Sequence, residues 1–268
     1  MKEIPLIEQR RILFDILLSI HKFCASNKLK YSLSYGTLIG AIRHKGFIPW
    51  DDDIDIIMLR EDYDRFVSMY SDEHYTLISG EGLSNHYHVV ISDPKTKCVF
   101  IKNENDKHYY KGGLWVDVFP IDQAPDNDID FIRKKKVILR LCKLQRWGEC
   151  LWPNIKNSKK RIKKVLLFFL HFVLRPFTGY FGRTVMKEMQ ELNGVKTNKV
   201  ADFSLWYLNY PSFPSRFLDE YINVEFEGGA FCAMKEYDTY LKGIYGDYMI
   251  YPPVGEQVPK HAYKAYYI

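Results

Sequence analysis

Tyr35-Gly-Thr-Leu-Ile-Gly-Ala-Ile-Arg-His-Lys-Gly-Phe-Ile-Pro-Trp-Asp-Asp-Asp-Ile-Asp-Ile-Ile-Met58 runs from a small-residue turn into the densest acid cluster of the chain. Asp53 and Asp55 alternate with Ile54 and Ile56, and Ile57 and Met58 follow. Apolar residues of this kind favour a strand. Successive side chains on a strand point to opposite faces. Asp51, Asp53 and Asp55 therefore share one face, roughly 7 Å between neighbours along the strand. Asp52, Ile54 and Ile56 share the other. Carboxylates in a row repel one another and persist only when solvated or neutralised. A hard cation such as Mg²⁺ neutralises them well, because it takes one or two carboxylates and leaves its other positions to water and phosphate. Trp50 before the acids and the apolar run after them mark the edge of a core, which weighs against a plain solvated loop.

On the N-terminal side, Tyr31–Tyr35 alternates in character and predicts a first core strand, with Ile54–Met58 the second. Gly36 and Thr37 follow the first. Glycine lets backbone N–H groups approach a phosphate, and a helix over Leu38–Ile42 would present its N-terminus to the same anion. Further upstream, Ile7–Lys28 predicts an amphipathic helix with Leu13, Ile16, Leu17, Ile20, Phe23 and Cys24 inward, ended near Asn27.

On the C-terminal side, Arg60–Tyr70 predicts a helix with Phe66, Val67 and Tyr70 inward. Tyr75–Ile78, His86–Ser92 and Cys98–Lys102 predict strands, with turns at Gly80–Gly82 and Asp93-Pro94. His86 and His88 share a strand face, a spacing that suits a metal but more often marks structural histidines. Leu114–Asp122 is the second chemically informative stretch. Asp117 lies inside an apolar strand, where an unpaired carboxylate is costly. A metal shared with Asp53 and Asp55 would compensate it, as would backbone N–H donors. Asp122, after Pro120, reads as a turn residue.

The character changes at Asp126. Asp126–Asp130 is an acidic helix start. Through Trp147, Lys and Arg then interleave with Val137, Ile138, Leu141 and Leu144. A second basic run over 156–164 leads into Val165–Leu174, an apolar block too short to span a bilayer. It reads either as a buried helix or as one lying in a membrane interface. Val185–Leu192 predicts a short helix and Phe203–Leu208 a strand near the site. Tyr221–Gly229 predicts a strand entering a turn, and Met234–Tyr248 a helix closed by Gly246.

Together these elements predict an α+β protein, a mixed sheet with packed helices. Residues 1–125 are expected to form the catalytic core, 126–200 a basic and apolar helical insertion, and 201–268 the part that completes the first domain. A length of 268 residues with 47% hydrophobic content supports a sizeable core. The net charge of +5 suits anionic small substrates or a lipid surface. No nucleic-acid module accompanies the basic runs. Cys24, Cys98, Cys142, Cys150 and Cys232 fit no metal or redox spacing and read as free thiols of a reducing compartment. Met1–Gln9 carries no secretory apolar region. The expected location is cytoplasmic, either free or peripheral at the inner membrane face.

Gly36-Thr37, followed by Arg43-His-Lys-Gly-Phe-Ile-Pro-Trp-Asp-Asp-Asp-Ile-Asp-Ile56, resembles the signature of the LicD family, which includes bacterial phosphocholine transferases and is related to fukutin and fukutin-related proteins. Asp117-Val-Phe-Pro120 resembles it too, as does Tyr240-Leu-Lys-Gly-Ile-Tyr-Gly-Asp-Tyr248 with Pro252-Pro253. The resemblance is weakest over 126–200. It implies a nucleotidyltransferase core of polymerase-β type. It implies that Asp53, Asp55 and Asp117 hold Mg²⁺ or Mn²⁺ and that Gly36-Thr37 is a phosphate-contacting turn. It also implies transfer of phosphocholine from CDP-choline to a hydroxyl of a cell-surface glycan of teichoic acid, capsule or lipopolysaccharide type, with CMP released.

Related proteins move other alcohol phosphates such as ribitol phosphate, so the head group stays open. On this view Asp117 is the first choice to accept the proton of the acceptor hydroxyl, and Asp51 orients a metal-bound ligand. Arg43 and Lys45 either grip donor phosphates or are solvated, and His44 is undecided. A quaternary ammonium needs aromatic faces, for which Trp50, Trp115, Trp206, Tyr35 and Tyr207 are candidates. Two readings come from other classes. One is nucleotidyl transfer from a nucleoside triphosphate, which would release pyrophosphate. The other is a non-catalytic membrane-surface scaffold built on 156–174.

Overall fold

The structure, a computed structural model, describes residues 1–79, 87–100, 112–149, 161–205, 209–259 and 263–268. The expectations placed on Gly80–Gly82, His86, Cys150, residues 156–160, Trp206 and Tyr207 lie outside the described residues.

Helix α1 (Leu6–Asn27) follows its spacing: Leu13, Ile16, Leu17, Ile20 and Cys24 form one buried stripe. Pro5 sits just ahead of the first turn, where no N–H is needed. Lys28 stops the helix in a left-handed conformation at φ 53°. Strand β1 (Ser32–Leu33) is shorter than predicted. Tyr35 already opens α2 (Tyr35–His44), with φ at 47°, an uncommon value for a residue with a side chain. Its hydroxyl donates to Asp202 Oδ2 at 2.6 Å, and its ring packs on Phe119 and Tyr210. That buried anchorage holds the strained backbone in place. Gly36 and Thr37 thus lie in the first turn of a helix.

Strand β2 (Asp55–Leu59) pairs antiparallel with β1 and parallel with a later strand, Trp115–Ala124. Helix α3 (Arg60–Met69) follows β2, with Phe66 fully buried. Next in the chain come β3 (Thr76–Ile78), β4 (Val89–Ser92), β5 (Thr96–Phe100) and β6, which is the Trp115–Ala124 strand. In space β6 lies between β2 and β4, and β3 flanks β4. The C-terminal half of β6 extends the sheet through β7 (Lys199–Ala201) and β8 (Phe213–Pro214). Among the described residues the sheet is seven-stranded and mixed, since β2–β6 is parallel while its other pairs are antiparallel. Two antiparallel pairs stand apart from it: β9 (Tyr221–Phe226) with β10 (Gly229–Met234), and β11 (Tyr263–Tyr267) with β5. The α+β class is therefore as expected.

Helices α5 (Arg161–Leu174) and α6 (Thr178–Gln190) both pack on α4 (Asp128–Glu149). Phe131, Ile138, Cys142, Val185 and Met189 form a cluster separate from the main core. Helix α7 (Tyr237–Tyr245) closes at Gly246, where φ is 69°. Among the described residues no helix is long and apolar enough to cross a membrane.

Several expectations need correction. Asp122 is not a turn residue: β6 runs through it, and it is 0% exposed. Arg60 Nε and Nη2 donate to its two carboxylate oxygens at 2.7 and 2.8 Å, which is what lets a strand carry it inside. Of the strand expected over Phe203–Leu208, residues 203–205 are not strand and 206–208 lie outside the described residues; the strand found just before it is Lys199–Ala201. Asp202 Oδ1 then accepts from the Ser204 N–H and hydroxyl, turning the chain out of the sheet. Met234 ends β10 rather than starting a helix. The apolar block at 165–174 is not buried, since Phe172, Val165 and Phe169 are 73%, 70% and 62% exposed.

Candidate active site

The acids sit where the β2–β6 pair meets the start of α2. Asp51–Ile54 precedes the ladder of β2, yet burial alternates along it as a strand would. Asp51, Asp53 and Asp55 are half-buried, while Asp52, Ile54 and Ile56 are buried. Thr37, on the first turn of α2, accepts the Asp55 N–H on its Oγ1 at 2.8 Å. Ser34 N–H donates to the Asp55 carbonyl. These two bonds tie the start of the helix to the start of the strand. Gly36 lets Asp51 come close: a Cβ at this position would lie 2.5 Å from Asp51 Oδ2 and force that carboxylate to move. Arg10, on the polar face of α1, donates to the carbonyls of Ile48, Pro49 and Asp51 and holds the chain leading into the acids.

Ligand oxygens of Asp51, Asp52 and Asp53 all lie within 4.8 Å of one another. Asp55 and Asp117 are register partners on the parallel pair and share a face of the sheet. Asp117 is clamped: His88 Nε2 lies 2.7 Å from its Oδ1, and Trp115 Nε1 donates to its Oδ2 at 2.8 Å. Trp115 packs on Tyr263, whose hydroxyl donates to the Asp52 carbonyl at 3.2 Å. At the end of α7, Tyr245 approaches the acids from the C-terminal part. Burial first, then Tyr240, Asp55, Asp51 and Asp53, push its phenol well above the ordinary value, while 41% of the residue's surface stays open.

The expected residues do not all gather. Asp51, Asp53, Asp55, Asp117, Gly36 and Thr37 are linked by the contacts above. Arg43 and Lys45 occupy the other end of α2, roughly 10–14 Å along its axis from Gly36 at the helical rise. Arg43 Nη1 donates to the Tyr248 carbonyl at 2.6 Å, and its guanidinium lies 4.6 Å from the Tyr251 ring centre. Lys45 caps α2 in a left-handed conformation, and its side chain is exposed. Of the aromatic candidates, Trp115 touches Asp117, Trp50 neighbours Tyr251, and Tyr35 is buried on Asp202. Arg10, Asp202 and Tyr245 carry no sequence signal of a part in the site, while His88, read as a structural histidine before a metal ligand, holds Asp117. Alternation in the Tyr87–Ser92 region was the one signal, placing His88 on the face of Val90, the register partner of Asp117.

An all-oxygen acidic centre beside a helix N-terminus is compatible with a hard cation and a phosphate ester. Comparison with known proteins narrows the class. Residues 28–140 match the family model described as LicD/FKTN/FKRP, nucleotidyltransferase domain. The chain is 32% identical over 278 aligned residues, 99% of each protein, to the lipopolysaccharide cholinephosphotransferase LicD of Haemophilus influenzae (strain ATCC 51907 / DSM 11121 / KW20 / Rd). An uncharacterized protein of Rickettsia typhi is 27% identical over 46% of this chain and 38% of its own length. One of Rickettsia prowazekii is 27% identical over 46% of each. The chain belongs to the LicD family, and it is a transferase.

Proposed function

We propose that this enzyme transfers phosphocholine from CDP-choline to a hydroxyl of a lipopolysaccharide-type glycan and releases CMP. The observation that carries this reading is the 32% identity to a lipopolysaccharide cholinephosphotransferase across 99% of both chains. Residues 1–125 and 201–268 form the catalytic unit, of nucleotidyltransferase type, and 126–200 is a helical insertion. The enzyme works on the cytoplasmic side of a membrane.

The all-oxygen acidic cluster would suit Mg²⁺, with Asp53, Asp55 and Asp117 proposed as its ligands: Asp53 stands in a group with Asp51 and Asp52, and Asp117 is the register partner of Asp55. When bound, that ion neutralises the diphosphate and the leaving CMP. The first-turn N–H groups of α2 receive a donor phosphate, aided by the positive end of the helix. Asp117, oriented by His88 and Trp115, accepts the proton as the acceptor oxygen bonds to the phosphorus of the choline phosphate. The bond from that phosphorus to the oxygen of CMP breaks. Faces of Trp115 and Tyr263, next to Asp117 and Asp52, suit a trimethylammonium group.

Calorimetric titration with CDP-choline and CDP-ribitol, with Mg²⁺ and then with chelator, tests the assignment. Mg²⁺-dependent binding of CDP-choline alone is expected. Preference for CDP-ribitol would replace the head group, and pyrophosphate release from a nucleoside triphosphate would replace the reaction. Gly36→Ala probes the geometry separately. Its Cβ displaces the Asp51 carboxylate, so kcat should fall on the order of 10²-fold with the fold intact by circular dichroism. Unchanged turnover would show that the close approach of Gly36 to Asp51 has no catalytic use.

A further inference from the structure

Helix α5 presents the wrong face to water. Its Leu170, His171 and Leu174 are less exposed than the rest of its described side chains. At about 100° per residue, Val165, Leu166, Phe168, Phe169, Phe172 and Val173 cover an arc of roughly 160° on the other side. All six are at least 45% exposed. A surface helix ordinarily turns its polar side outward. The apolar surface continues past the helix end, where Phe177 is 53% and Tyr180 59% exposed. An exposed contiguous patch of this kind marks an interaction surface.

Charge identifies the occupant. Residues 161–187 carry Arg161, Lys163, Lys164, Arg175, Arg183 and Lys187 and no Asp or Glu. Arg175, Arg183 and Lys187 are exposed. Cations therefore flank a face whose described side chains between Val165 and Val173 are apolar, apart from the half-buried His171. Apolar side chains entering the acyl boundary with cations at headgroup level is the arrangement of an interfacial helix. We propose that α5 and the start of α6 dock the enzyme on a bilayer surface bearing anionic phospholipids. The inference stands on this surface alone and does not depend on which head group is transferred.

Co-sedimentation of the full chain with vesicles of phosphatidylcholine, with and without phosphatidylglycerol, tests it. The protein should sediment with the anionic vesicles and weaken with added salt. Phe169→Ser with Phe172→Ser should reduce the bound fraction about tenfold or more, with near-UV circular dichroism and CDP-choline affinity unchanged. Arg175→Glu with Arg183→Glu should also weaken binding, and it decides the matter if the serine variant does not fold. Four results would overturn the proposal. The wild type fails to bind, or it binds neutral vesicles equally well. Both variants bind like the wild type. Light scattering shows a wild-type dimer that the serine substitutions split, which would make this face a self-association surface.

Discussion

Asp53→Asn is expected to lower the rate of CMP release by about 10²–10³-fold, the usual loss when one preorganised electrostatic group is removed from a phosphoryl-transfer site. The substitution changes one oxygen to nitrogen and keeps the shape, so packing around Trp50 and Ile54 is undisturbed. Its effect on stability has the opposite sign. Asp51, Asp52 and Asp53 hold ligand oxygens within 4.8 Å of each other, and without a cation their charges repel. Removing one charge should leave the metal-free protein as stable as before, or more so. The gain in melting temperature that Mg²⁺ confers on the wild type should shrink or vanish, because that gain is mass action on a site now weakened. Kinetics and thermal melts with and without Mg²⁺ read both effects. Normal turnover with an unchanged Mg²⁺ response would remove Asp53 from the site.

The second large effect concerns stability rather than chemistry. Arg60 and Asp122 are 6% and 0% exposed, joined by two hydrogen bonds of 2.7 and 2.8 Å. Burying such a pair is expensive, but breaking it strands a charge in a medium that cannot solvate it. Arg60→Ala should therefore cost roughly 3–5 kcal/mol, read from urea unfolding. Arg60→Met with Asp122→Leu, which removes both charges and keeps volume, should recover most of the loss. A single-variant cost under about 1 kcal/mol, the range of an exposed pair, would contradict the buried assignment. Asp122 lies on the strand that carries Asp117, so the pair also holds that strand against α3. Catalysis in Arg60→Ala should fall only as the folded fraction falls.

Periodicity read the helices and strands well where a local apolar pattern dictates the element. Leu13, Ile16, Leu17, Ile20 and Cys24 repeat at helical spacing, and no tertiary contact is needed to see the stripe. Phe66 and the Asp55–Leu59 ladder were legible in the same way. It failed where side-chain hydrogen bonds redirect the backbone. Tyr35 leaves β1 for a left-handed start to α2 because its hydroxyl is held by Asp202, a residue remote in the chain. Asp202 itself ends β7 by capturing Ser204. Tyr263–Tyr267 has strand-favouring tyrosines but is too short to read as an element by itself, and it forms β11 because β5 offers it an edge.

By itself the sequence determined the α+β class and the family. It also marked the acids as the chemically costly feature, since carboxylates set in apolar runs announce a compensating partner. Only the tertiary structure decided which groups compensate them. Asp122 and Asp117 are both acids on β6, five positions apart in the numbering and alike in local pattern. One meets Arg60 and becomes structural; the other meets His88 and Trp115 beside Asp55 and faces the site. Arg43 and Lys45 stand close to the acids in sequence but are carried to the far end of α2 by the helical rise. The apolar block at 165–174 was equally legible as core or as interface, and packing left its apolar side in solvent. A local pattern records that a charge or an apolar face needs a partner; which partner arrives depends on contacts between residues distant in the chain.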